Sequence, residues 1–158
     1  MGGAVGSDEA QLAQAEAWAE GGALDAAHAL AEQVARSAQS GGRMDLAADA
    51  LRLCGVCSAR SGAWDQALAE LNAAAEVVVD PLLGAEIAVT RGSVLGAAGR
   101  FPEAIALLRA QVVALAGISG GAELAREARA ELAAFVNLTS PKNAATWAAI
   151  AAARLPSD

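Results

Sequence analysis

The chain of 158 residues has no tyrosine, two phenylalanines and three tryptophans. At 3% aromatic content it cannot build a bulky aromatic core. Valine, isoleucine and threonine are sparse and no stretch alternates with period two, which argues against a β-sandwich or barrel. Only one histidine (His28) and one lysine (Lys142) are present. The 11 basic side chains face 18 acidic ones, a net charge of −7, so the basic face that nucleic-acid binding needs is missing. No apolar run approaches the roughly 20 residues that span a bilayer. The opening MGGAVGS lacks the positive and apolar regions of a signal peptide. Gly6 stands where N-myristoylation requires Ser or Thr. These absences set the expectation of a soluble, cytoplasmic protein that works neither on nucleic acid nor in a membrane. Two cysteines, Cys54 and Cys57, do not make a disulfide framework.

What the chain has is alanine, 45 residues of it. Alanine is the strongest helix former and buries little area per residue. Such a chain favours helices that approach closely. Glycine and proline punctuate them. Ser7 or Asp8 is a candidate cap for a helix ending near Glu20, after a flexible stretch over 1–7. Further helices are expected over about 24–39, 44–60, 64–79, 81–98, 102–116, 122–136 and from Pro141 onward. Asp80-Pro81 and Ser140-Pro141 read as a cap followed by a first-position proline. Asn137 reads as a left-handed stop. The expectation is eight helices in one domain over 8–155, with links short enough to make sequential helices antiparallel.

Three segments share a pattern. Gly22, Gly62 and Gly99 are each followed by a large apolar residue two on (Leu24, Trp64, Phe101). Alanine stands five on (Ala27, Ala67, Ala104) and an apolar residue nine on (Ala31, Leu71, Leu108). Seven residues before each turn glycine stands a small residue: Ala15, Gly55 or Gly92. The small positions let two helices approach, and the turn glycine allows positive φ. One such hairpin cannot bury its apolar face alone, so hairpins must stack.

This pattern resembles the tetratricopeptide repeat family, in its longer bacterial variants, over about residues 8–116. The units here are 37 and 40 residues rather than 34. The resemblance implies an all-α, right-handed α-solenoid of about four helix hairpins, at about 8–39, 43–79, 81–116 and a degenerate 122–155. It further implies a concave face lined by the first helix of each pair. Glu9, Glu16 and Glu20 fall there in the first unit, Asp49, Arg52, Val56 and Arg60 in the second, and Val89 and Ser93 in the third. One reading is a groove for a peptide or protein segment, acidic at one end, with Arg52 and Arg60 placed to hold a carboxylate. The other is that these charges solvate the face and pair across neighbouring helices. The family's chaperone-type carboxylate clamp is not supported, because Glu16, Val56 and Ser93 occupy its asparagine places.

Cys54-Gly55-Val56-Cys57 spells C-x-x-C, yet inside a helix with no strand before it. Small core cysteines are therefore expected rather than a redox pair. His28 is alone, so neither a metal site, a cofactor nor a general base is assigned. Trp64 should plug its hairpin, and Trp18 should face the second helix of its pair. The stretch around Trp147, with Ile150 and Leu155, is apolar on nearly every side. It needs cover, from a second copy in a homodimer or from a continuing stack. The functional expectation is a non-enzymatic scaffold or adaptor. The competing one is a regulatory or sensory piece of a transcription or signalling system that self-associates through its last helix.

Overall fold

The computed structural model of the chain describes residues 3–143, 145, 148 and 149. These form seven α-helices: α1 Gly3–Glu20, α2 Leu24–Ser40, α3 Met44–Arg60, α4 Trp64–Val77, α5 Pro81–Ala97, α6 Phe101–Leu115 and α7 Ala122–Leu138. A short 3-10 turn follows at Pro141–Asn143, and no strand occurs among the described residues. The chain is all-α, as its alanine content and lack of alternation imply. Contacts group it into two compact units, Met1–Ile87 and Ala88–Asp158, with the division inside α5. In the first unit α1 packs on α2, α2 on α3 and α3 on α4, and α1 also touches α3. In the second, α6 packs on α7.

One joint recurs. At Gly22, Gly42, Gly62 and Gly99 the glycine takes φ between 71° and 87°. Its amide donates three residues back, to Ala19, Gln39, Ala59 and Gly96. The next residue donates five back, to Trp18, Ala38, Ser58 and Leu95. This pair of bonds satisfies the last carbonyls of the helix and turns the chain at once into the next helix. Five residues after each glycine lies a fully buried alanine: Ala27, Ala47, Ala67 and Ala104. Gly120 repeats the positive φ, and Ala125 five on is again buried. Sequence reasoning recognised three of these five turns. The Gly42 turn, which falls between the expected units 8–39 and 43–79, is built like the turns inside them. The starts of α2, α3 and α4 consequently repeat every 20 residues (24, 44 and 64).

Within the hairpins the small positions do what their size implies. Gly55 on α3 lies beneath Leu71 of α4, and Gly92 on α5 lies beneath Leu108 of α6. The cap at Asp80 is present, its carboxylate accepting the Leu83 amide at 2.8 Å. Asp45 accepts the amides of Val79 and Asp80 at 2.7 and 2.9 Å, which ties the link after α4 back to α3. Those two backbone donors hold the Asp45 carboxyl below its ordinary value.

Three expectations are corrected. Helix α1 starts at Gly3, so neither Ser7 nor Asp8 caps it. Asp8 is instead buried, accepting from the Ser37 hydroxyl at 2.8 Å and pairing with Arg43. Trp18 is not buried in its hairpin: Leu12, Ala15 and Ala19 form the buried side of α1, and Trp18 is 40% exposed. Asn137 is not a left-handed stop, because no non-glycine residue has positive φ among those described. Helix α7 runs to Leu138, two residues past the expected end, where the Thr139 hydroxyl donates to the carbonyls of Phe135 and Val136. Trp147, Ile150 and Leu155 lie outside the described residues.

Candidate functional site

Helices α1 and α3 touch, so the expected groove residues of the first two units sit on neighbouring helices. On α1, Glu9 and Glu20 are exposed and Glu16 is half-buried. On α3, the half-buried Arg52 reaches back one turn, with Nε and Nη2 donating to the same Asp49 oxygen at 2.9 and 2.7 Å. Arg60 Nη1 donates to the Ala19 carbonyl at 2.5 Å. That places a cation at the negative end of α1, where it offsets the helix dipole. Both arginines are thus engaged within the fold. The pairing runs along α3 and onto a backbone carbonyl, not between side chains of adjacent helices. Val56 is half-buried beside them.

Val89 and Ser93 belong to the second unit. Val89 is a core residue, buried on α5, and does not line an open surface. The Ser93 hydroxyl donates to Glu131 of α7 at 2.5 Å. Burial pushes the Glu131 carboxyl up, and the Ser93 bond opposes that.

A second polar feature, not foreseen, lies in the first unit around Glu70 of α4. The His28 ring nitrogen of α2 meets one carboxylate oxygen at 2.6 Å, and the Gln66 amide donates to the same oxygen at 2.9 Å. The Ser58 hydroxyl of α3 donates to the other at 2.7 Å. Three helices are stitched together by one carboxylate. Beside it a cavity of about 190 Å³ opens between the start of α2, the end of α3 and the start of α4. Leu24, Asp25, His28, Ser58, Ser61 and Gln66 line it, with Cys57 and Ala63. His28, Ser58 and Glu70 do not form a nucleophilic triad. The serine proton goes to the glutamate, not to the imidazole, so the serine–histidine step of such a triad is missing.

The C-x-x-C lies within α3, and both thiols are buried and free. Burial, with the Glu70 charge adding to it, pushes the Cys54 thiol up to about 12. Burial raises Cys57 as well. Reactive cysteines need the opposite, a stabilised thiolate. These two are packing residues. Among the described residues no cluster of three or more His, Cys, Asp or Glu side chains is arranged to hold a metal ion. No described helix is long and apolar enough to cross a membrane.

Comparison with family models, with curated proteins and with solved structures finds no match to this chain.

Proposed function

We propose that the hairpins stack as a right-handed α-solenoid of the tetratricopeptide type, and that the protein is a non-enzymatic scaffold binding a protein or peptide segment. The observation that carries this reading is the recurring joint. A positive-φ glycine, a buried alanine five on and a large residue over a small one recur along the chain. Such hairpins bury their faces only against one another and leave a continuous outer surface for a partner. The contact between α1 and α3 supports an inner face made from the first helix of each pair.

Charge favours a basic segment as that partner. Residues 1–87 carry 13 of the acidic and 4 of the basic side chains, a net −9, while residues 88–158 carry 5 and 7, a net +2. Glu9, Glu16 and Glu20 share one face of α1, whereas Arg52 and Arg60 are already engaged. A potential of one sign along a surface steers oppositely charged partners and rejects like-charged ones.

A peptide array of matched basic, neutral and acidic sequences tests this. Basic peptides should be retained by the wild type and lost by Glu9→Lys/Glu16→Lys/Glu20→Lys. Retention of acidic peptides, abolished by Arg52→Glu/Arg60→Glu, would reverse the polarity of the groove. No retention of any class would remove the scaffold reading.

A further inference from the structure

The cavity beside Glu70 has a hydrogen-bonding character set by where its protons go. Ser58 uses its one hydroxyl proton on Glu70, at 2.7 Å. Ser61 uses its own on the Cys57 carbonyl, at 3.0 Å. Both oxygens are left as acceptors. His28 meets Glu70 through Nε2 and is held there by that bond. Gln66 turns its amide nitrogen to Glu70 and, at 3.5 Å, to the His28 ring, which leaves its carbonyl oxygen as an acceptor. Asp25 accepts only. The oxygens of Ser58, Ser61, Gln66 and Asp25 therefore give the cavity a wall made mainly of acceptors.

Its electrostatics agree. The end of α3 supplies the negative pole of a helix dipole. The positive poles of α2 and α4 are each offset by a first-turn aspartate, Asp25 and Asp65. The unit as a whole carries −9. Leu24, Cys57 and Ala63 add apolar wall. At about 190 Å³ the cavity is smaller than the roughly 300–1,000 Å³ that encloses a whole drug-sized ligand. It suits an end group with a short stem.

We infer that this cavity is a binding site for a guanidinium group on a short aliphatic stem. Guanidinium brings five N–H donors in a fixed fork and no acceptor, which complements this wall. A carboxylate or phosphate would bring acceptors to acceptors. The group has two sources: an arginine side chain of a partner segment, or a free guanidino compound. The first source rests on the scaffold reading above, and the second does not.

The test titrates the full chain with agmatine, with a blocked Ala-Arg-Ala peptide and with inorganic phosphate. Binding is read from the NMR signals of the His28 ring and the Gln66 side-chain amide. Saturable shifts are expected with the guanidinium probes and none with phosphate. Asp25→Asn should weaken binding about ten-fold or more, the worth of one charge-assisted hydrogen bond. Asp25 is exposed, so this variant should keep the wild-type circular dichroism spectrum. Binding of both guanidinium probes supports the arginine source. Binding of agmatine alone keeps the site and separates it from the scaffold reading. No saturable shift, a stronger response to phosphate, or agmatine binding equally tight in Asp25→Asn overturns the inference.

Discussion

Leu71 lies over the bare Cα of Gly55, where an added methyl would stand 2.7 Å from the Leu71 Cγ and 3.2 Å from the Ala67 carbonyl oxygen. The same relation recurs 37 residues on, where a methyl on Gly92 would stand 2.7 Å from a Leu108 methyl. In the first hairpin the two places are held by Ala15 and Ala31, both fully buried. What one helix gains in bulk the other gives up.

This complementarity makes a prediction. Gly55→Ala gains about 1 kcal/mol of helix propensity but overpacks by about 1–3 kcal/mol. Leu71 is fully buried with nowhere to swing, so overpacking wins and stability falls. Leu71→Ala alone should cost about 2–5 kcal/mol. The double variant recreates the Ala15–Ala31 pairing, so it should be more stable than the two single losses summed, by about 1 kcal/mol or more. Urea denaturation of the four proteins measures this. Simple additivity would show that the two positions do not meet.

The turn glycines separate backbone cost from packing cost. A Cβ on Gly42 or Gly62 meets nothing within 4 Å, yet both residues hold positive φ. Ala at either place should lower stability by about 1–2 kcal/mol from the left-handed conformation alone, and Asn by less. A Gly42 variant as costly as its Gly62 counterpart is expected, because the two turns have the same hydrogen bonds. If Gly42→Ala is neutral in thermal melts while Gly62→Ala is not, the 20-residue equivalence fails.

The contrast between what was legible and what was not follows from range. Turn glycines, first-position prolines and the buried alanine five residues on are local signals, and they placed most helices to within a residue or two. Gly42 and Gly120 carry the same glycine-then-alanine spacing of five, but Gly120 lacks the small residue seven before that accompanies the other turns. The side of α1 that Trp18 takes depends on which neighbours are already filled by Leu12, Ala15 and Ala19. The Glu70 cluster had no local trace. Its members come from three helices, and His28 lies 42 residues from Glu70.

Stability should hold a plateau between two titration limbs. The Arg43 hydrogen bond, then that of Ser37, holds the Asp8 carboxyl below its ordinary 3.8, and backbone donors do the same for Asp45. A lowered folded pKa gives stability that is present above the unfolded value and lost as pH falls through the folded one. Stability should therefore decline as pH drops below about 4, and Asp8→Asn should flatten that limb while lowering stability at neutral pH. Cys54 has the opposite sign. Its raised value, about 12 against 9.0, gives stability present below pH 9 and lost between 9 and 12. Urea midpoints from pH 2 to 11 read both limbs, and Cys54→Ala should soften the alkaline one. An acid limb unchanged in Asp8→Asn would contradict the assignment.

Gly96 carries the seat of α7. A methyl there would stand 2.0 Å from the Phe135 Cζ and 2.5 Å from both Cε atoms, which is more severe than the clash at Gly55 because an aromatic ring has fewer ways to yield. Phe135 also meets Phe101 with ring centroids 5.5 Å apart and planes tilted by 53°, a favourable edge-on arrangement. Gly96→Ala must displace Phe135 and lose both contacts, so α7 should loosen by about 1–2 kcal/mol, less than the loss of a fully buried Phe because Phe135 is half-buried. Phe135→Leu should cost less, since Leu keeps apolar cover and leaves the glycine space partly empty. In the double variant the shorter side chain should tolerate the methyl better than Phe does. Amide hydrogen exchange reads this directly: protection should drop along Ala122–Leu138 in Gly96→Ala and recover in part in Gly96→Ala/Phe135→Leu. Exchange in α7 that stays at the wild-type level in Gly96→Ala would mean that Phe135 has room to turn aside.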